Sequence, residues 1–254
     1  MLLTSIVLAT LSGGLLSAMV AGLLVAGFPQ RWLPRLVGFA TGVLMSVALL
    51  DILPEAFESG IAPHKLFAAL LVSLIGFYAL ERAALWRHSH GGEEHDHHGH
   101  DHHHDMSSIV PAVVLGDSFH NFVDGVMLAA TFLTSPTLGW STAIAVIAHE
   151  IPQEAGDFVL LRTAGVAIRR AFMLNGFSSL CSLIGGVIGY LALQHARPYL
   201  PYALILAASS LLYIAISDLL PLLRREAGAR NLAWQGGTIL SGIALIALVT
   251  ATLR

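Results

Sequence analysis

The chain has 254 residues, of which 56% are hydrophobic and only 11% charged, and its mean hydropathy is +0.74. So little charge at this length excludes an ordinary water-soluble domain and reads as a polytopic membrane protein. The formal charge of −3 comes with no basic patch interleaved with aromatics, which argues against nucleic acid as a partner.

A spanning helix needs about 20 mostly apolar residues. Cutting the chain at proline, glycine and charge clusters predicts eight: Thr4–Gly27, Leu36–Phe57, Leu66–Trp86, Ser108–Leu133, Leu138–Leu161, Ala171–Leu193, Tyr199–Leu223 and Trp234–Leu253. Residues 1–254 thus read as a single all-α transmembrane domain. No positively charged segment precedes the long first run, so it reads as a retained helix rather than a cleaved signal peptide. The lone Cys181 allows no intramolecular disulfide and reads as a small packed hydrophobe in the sixth helix.

Basic residues mark the cytoplasmic loops. Arg31, Arg35, Arg82, Arg87, Arg162, Arg169, Arg170, Arg224, Arg225 and Arg230 fall in odd-numbered loops, against Lys65, Arg197 and Arg254 in the even loops and the C-terminus. Both termini are therefore expected outside. The connection after the third helix is expected in the cytoplasm. Its residues 88–106 form a His-rich tract in which His88, His90, His95, His97, His98, His100, His102, His103 and His104 alternate with acids. Such a composition builds no core and reads as a disordered loop whose neutral imidazoles bind zinc, nickel or copper loosely.

The second and seventh helices resemble each other. Residues 42–54, ending Asp51-Ile-Leu-Pro54, align with residues 209–221, ending Asp218-Leu-Leu-Pro221. The charge-derived topology runs these two helices in opposite directions, the pattern of an inverted repeat, in which substrate sites lie near the midplane. The layout expected is a 3+2+3 bundle with a central pair. Asp51 and Asp218 precede prolines near helix ends, where an interfacial role competes with a functional one.

The central pair carries the chemistry. On the fourth helix Asp117, His120, Asn121 and Asp124 recur at three- and four-residue spacing and project from one face; on the fifth, His149, Gln153 and, one residue round, Glu150, Glu154 and Asp157 do the same. Ionisable groups in hydrocarbon cost roughly 3 kcal/mol apiece even on the insertion scale, so they default to function. Two such faces turned together offer imidazole nitrogen, carboxylate and amide oxygen, donors that suit zinc and tolerate iron or manganese. Polar residues acting only as interhelical glue are the competing reading, and nine of them on two faces weigh against it. Pro152 is expected to push away the carbonyl of Ala148 and kink the fifth helix beside His149.

His120-Asn121-Phe122-Val123-Asp124-Gly125 and His149-Glu150-Ile151-Pro152-Gln153-Glu154 resemble the paired motifs of the ZIP family of divalent-metal transporters. Gly116-Asp117 and Gly156-Asp157-Phe158 around them resemble its LIV-1 branch. The resemblance implies that His120, Asp124, His149 and Gln153 form a first metal position, and that Asn121 and Glu150, with shared carboxylates, approach a second. Glu154 is implied as a further ligand or proton-handling group. Two departures stand out: Gln153 is a neutral ligand where many relatives have Glu or His, and Ser178 stands where some bacterial members carry Glu. The resemblance also implies a transporter rather than an enzyme. It implies inward movement of zinc, with iron, manganese and cadmium as further candidates, by an elevator-like shift of the first, fourth, fifth and sixth helices against the rest.

Two rival functions remain at this stage. An exporter would use the His-rich loop to load the carrier, and neither charge nor spacing excludes it. An intramembrane metalloprotease would need a second histidine four residues after His149, where Gln153 stands. The partners implied are divalent metal ions and the lipid bilayer, with a homodimer left open. The short chain suggests a bacterial inner (plasma) membrane.

Overall fold

The computed structural model describes residues 1–27, 32–89, 109–224 and 229–253. These residues are almost wholly helical, with no strand among them. Helix α1 comprises Leu2–Leu11, a π-helical stretch Ser12–Leu16, and Ser17–Gly27. Helix α2 comprises Leu33–Ser46, π-helical Val47–Ile52 and Leu53–Phe57, and α3 is Pro63–Ser89. Helices α4 (Ile109–Thr134), α5 (Pro136–Thr163) and α6 (Ile168–His195) follow. A single 3-10 turn, Arg197–Tyr199, leads into α7, made of Leu200–Tyr213, π-helical Ile214–Leu219 and Leu220–Arg224; Ala229–Leu253 is α8.

Six of these helical stretches are long and apolar enough to cross a membrane: Leu2–Val25, Leu33–Phe57, Pro63–Leu80, Ile168–His195, Arg197–Leu223 and Asn231–Thr252. The protein is therefore a multi-pass integral membrane protein. With 26 and 28 residues, α4 and α5 are long enough. They fall short in apolarity, because they carry the two polar clusters. The His-rich tract from His90 onward, including His95, His97, His98, His100, His102, His103 and His104, lies outside the described residues.

Local chemistry explains where the central pair turns. Ser135 caps α5, its hydroxyl accepting from the Leu138 amide at 3.1 Å, and Pro136 occupies the first turn, where no amide donor is missed. At the other end Gly165 takes φ +80, a left-handed conformation glycine adopts without steric cost. The Arg162 guanidinium closes that loop by donating to the Val166 carbonyl at 2.9 Å.

Helix α4 packs along α6 and against α5, while α1 packs on α5 and α6. On the other side α2 packs along α8, and α3 along α7; α5 touches α2, and α4 touches α7. Glycines set the tightest approaches. A Cβ at Gly125 of α4 would overlap the Ser182 carbonyl of α6, and one at Gly185 of α6 would overlap the Phe122 carbonyl of α4. Gly42 of α2 bears the same relation to the Ile239 carbonyl of α8. Backbone-to-backbone contact of this kind supplies the dispersion energy that holds helices together where lipid removes the hydrophobic drive. Outward faces remain apolar and exposed, as on α3 with Phe67, Leu71, Val72 and Ile75.

The sequence places Asp51 near a helix end. In the fold it is 4% exposed inside the π-helical stretch of α2, and the Thr250 hydroxyl of α8 donates to its two oxygens at 3.2 and 3.0 Å. Asp218, its counterpart in α7, is exposed. The expected break at Pro152 is milder than anticipated: α5 stays helical from Pro136 to Thr163 with the proline inside it.

Candidate metal centre

The faces of α4 and α5 predicted to share a cavity do meet. His120 and Asp124 from α4, with His149 and Glu150 from α5, each bring one donor atom to a common point, all within 4.8 Å of one another. His149 Nε2 lies 3.0 Å from Asp124 Oδ2, 3.2 Å from His120 Nε2 and 3.8 Å from Glu150 Oε1. His120 Nε2 lies 3.7 Å from Asp124 Oδ2 and 3.5 Å from Glu150 Oε1. A tetrahedral zinc with bonds of about 2.0–2.1 Å has ligand-to-ligand edges of about 3.4 Å. The five separations bracket that edge.

The groups around this point are prepared for a cation. His149 Nδ1 sits 2.9 Å from the Ala145 carbonyl one turn back in α5, so that nitrogen carries the proton and Nε2 turns its lone pair to the cluster. Asp124, His149, Glu150 and Glu154 are 0% exposed. Among the described residues, Asp124 Oδ1, Glu150 Oε2 and Glu154 Oε2 are buried without a hydrogen-bond partner, while Asp124 Oδ2 and Glu150 Oε1 have the two imidazoles as neighbours. Buried carboxylate oxygens left so are costly unless paired with a cation or a metal. His120 alone keeps partial access, its side chain 20% exposed.

A second group adjoins the first. Asp117, Glu150 and Glu154 bring three carboxylates within 4.8 Å, so Glu150 belongs to both groups. Here hydrogen bonds already engage part of the donor set. Asp117 Oδ1 accepts from Asn121 Nδ2 at 2.9 Å, its Oδ2 accepts from the Ser178 hydroxyl, and Glu154 Oε1 accepts from the Ser179 hydroxyl at 3.3 Å. An all-oxygen group of this sort suits harder cations than the imidazole-bearing one beside it.

The remaining sequence candidates sort around these two groups. Asn121 is buried, with its amide nitrogen directed at Asp117 rather than outward. Gln153 and Asp157 are half-buried on α5, and the carboxylate of Asp157 lies outside both groups. The polar contribution of α6 was underread. Asn175, Ser178, Ser179 and Ser182 are all buried, and their spacing of three, four and seven residues from Asn175 forms one stripe facing the acids. That spacing is visible in the sequence, but hydroxyl and amide groups raise no alarm in an apolar helix.

A family model described as ZIP Zinc transporter matches residues 81–250. The chain is 36% identical over 154 residues to the metal cation symporter ZIP14 of Xenopus tropicalis, covering 58% of this chain and 33% of that protein. It is 34% identical over 156 residues to metal cation symporter ZIP14 of Danio rerio, covering 58% and 31%. It is also 35% identical over 139 residues to zinc transporter ZIP10 of Homo sapiens, covering 54% and 17%. The matches thus span a third or less of those curated relatives. Matched by that model over about two-thirds of its length, and bearing both motifs on facing helices, the chain belongs to the ZIP zinc transporter family.

Proposed function

We propose that the protein carries divalent metal, zinc first, across the membrane into the cytoplasm through a binuclear-type centre between α4 and α5. The observation that carries this reading is the convergence of His120, Asp124, His149 and Glu150 donor atoms at 3.0–3.8 Å in a buried, charge-unbalanced pocket. Zinc takes imidazole and carboxylate together at these spacings, and iron, manganese and cadmium follow as weaker candidates. Asp117, Glu150 and Glu154 form the second position, bridged to the first by Glu150; Asn121 orients Asp117, Gln153 adds a neutral ligand to the first position, and Asp157 is a secondary candidate. No cysteine stands among the donors, so the ion is held at an affinity that still permits release.

Eight spanning helices in a 3+2+3 inverted repeat fit this task. Exchanging α1 with α6, α2 with α7, α3 with α8 and α4 with α5 turns the contact of α1 on α5 into that of α6 on α4. The same exchange maps α2 on α8 to α7 on α3, and α2 on α5 to α7 on α4. Two halves so related place the central pair on the pseudo-two-fold axis, the location of substrate in many carriers. The charge bias sets both termini outside and the His-rich loop in the cytoplasm, on the receiving side.

Purified protein reconstituted in vesicles with a trapped zinc indicator tests function and direction together. Zinc added outside should raise the signal in wild type, and His149→Ala and His120→Ala should reduce it to background while circular dichroism shows helix content unchanged. Equal uptake in both variants would remove the centre from the transport path, and flux only out of the vesicle's cytoplasm-equivalent side would make the protein an exporter.

A further inference from the structure

We propose that the protein holds an anionic phospholipid at the α2–α5 junction, its phosphodiester on Arg35 and one acyl chain in the groove leading toward Pro152. The headgroup end is built from three side chains at the starts of α2 and α8. The Arg35 guanidinium lies over the Trp32 ring at 4.7 Å and over the Trp234 ring at 5.0 Å. Both indoles are exposed. Tryptophan at that level marks a membrane–water interface, where lipid phosphates sit. The two indoles hold the guanidinium by cation–π attraction, which uses none of the N–H groups that would make two parallel bonds to a phosphate. Among the described residues, no carboxylate forms an ion pair with Arg35.

The acyl end begins one turn further along α2. Leu36 is one turn on from Trp32, and Phe39 one turn on from Arg35, so the clamp and the first groove residues share adjoining rows of α2. Leu36 and Phe39 line a groove of about 200 Å³ together with Ile144, Ile147, Ala148, Ile151 and Pro152 of α5. At roughly 30 Å³ per small group, it takes about seven methylenes. All of its lining side chains are apolar, and most are only half-buried, so it opens toward the bilayer. A soluble anion would fill only the Arg35 end, and a neutral lipid only the groove. The lipid that uses both has a net negative headgroup. Its chain would lie against the turn that precedes His149, outside the metal centre itself.

Native mass spectrometry of the purified full chain in detergent, titrated with phosphatidylglycerol or phosphatidylcholine, tests this. Wild type should retain the glycerol lipid about tenfold better than the choline lipid, and Arg35→Gln should lose that preference. Arg35→Lys, which keeps the charge without the planar fork, should fall between them. Ile147→Trp, which fills the groove, should lower retention of both lipids. Circular dichroism on each variant, with zinc binding as a second check of folding, keeps the comparison to folded protein. Equal lipid preference in wild type and Arg35→Gln would overturn the proposal. So would full competition by glycerol 3-phosphate, which would mean that a free anion rather than a lipid occupies Arg35, or unchanged retention in Ile147→Trp.

Discussion

Glu150→Gln separates the metal reading from a purely structural one, because the two predict opposite signs. Glu150 Oε1 lies 3.5 Å from His120 Nε2 and 3.8 Å from His149 Nε2, and the residue also belongs to the group with Asp117 and Glu154. With zinc present, the variant removes one buried charge opposite the ion, a loss of roughly 3–5 kcal/mol. That is about two to four orders of magnitude in affinity, toward the lower end because the amide oxygen remains a ligand. Without zinc, the same change removes a repulsion. Two ionised carboxylates at 4.8 Å, the outer limit of the cluster, repel by about 3.5 kcal/mol at an effective dielectric of about 20. At about 2–4 °C per kcal/mol, the metal-free Tm should rise by up to about 14 °C. Thermal unfolding of detergent-solubilised protein, followed by intrinsic fluorescence with and without zinc, reads both effects. A lower metal-free Tm together with an undiminished zinc-induced rise would refute the reasoning, since it would mean that hydrogen bonds rather than a cation satisfy Glu150.

Ser178→Ala removes one of the two donors on Asp117, so the all-carboxylate position should bind a second equivalent of metal, tested with manganese, more tightly, at a stability cost of about 1–3 kcal/mol; titration calorimetry gives the stoichiometry. Gly125→Val places a side chain where the Ser182 carbonyl lies. Separating α4 from α6 should lower the Tm by several degrees and weaken zinc binding with it, measured in the same unfolding assay. Deleting residues 91–104 should leave vesicle uptake intact and reduce only the number of weakly bound zinc or nickel ions per chain, counted by equilibrium dialysis. Loss of uptake in a properly inserted deletion variant would make the loop part of the carrier.

Much of this was legible in the sequence because the bilayer imposes simple rules. Twenty-residue apolar runs gave the helices, and four-residue spacing put His120 with Asp124 and Glu150 with Glu154 on one side of each. The family resemblance assigned Gln153 to the first position. The fold brings Glu150, which follows His149 directly on α5, within reach of both groups. Helical spacing fixes which side a residue faces, not how far its side chain extends. The partner of Asp51 was not legible: Thr250 is 199 residues away, and no local pattern announces a hydroxyl from α8.

The π-helical stretches of α2 and α7 bear on the repeat more directly than hydropathy does. In the alignment of residues 42–54 with residues 209–221, Val47–Ile52 falls position for position on Ile214–Leu219. In both helices a proline follows, Pro54 or Pro221. Each lacks an amide donor and crowds the carbonyl four residues back, that of Leu50 or Ser217, which lies inside the widened stretch. The chain answers by shifting register: the Leu53 amide reaches the Ala48 carbonyl, and the Leu220 amide reaches the Ala215 carbonyl, five residues back in both cases. Pro152 in α5 produces no such stretch, so a proline alone does not dictate it. At aligned positions the two helices thus share a widened stretch, a bond that reaches five residues back, an aspartate and a following proline.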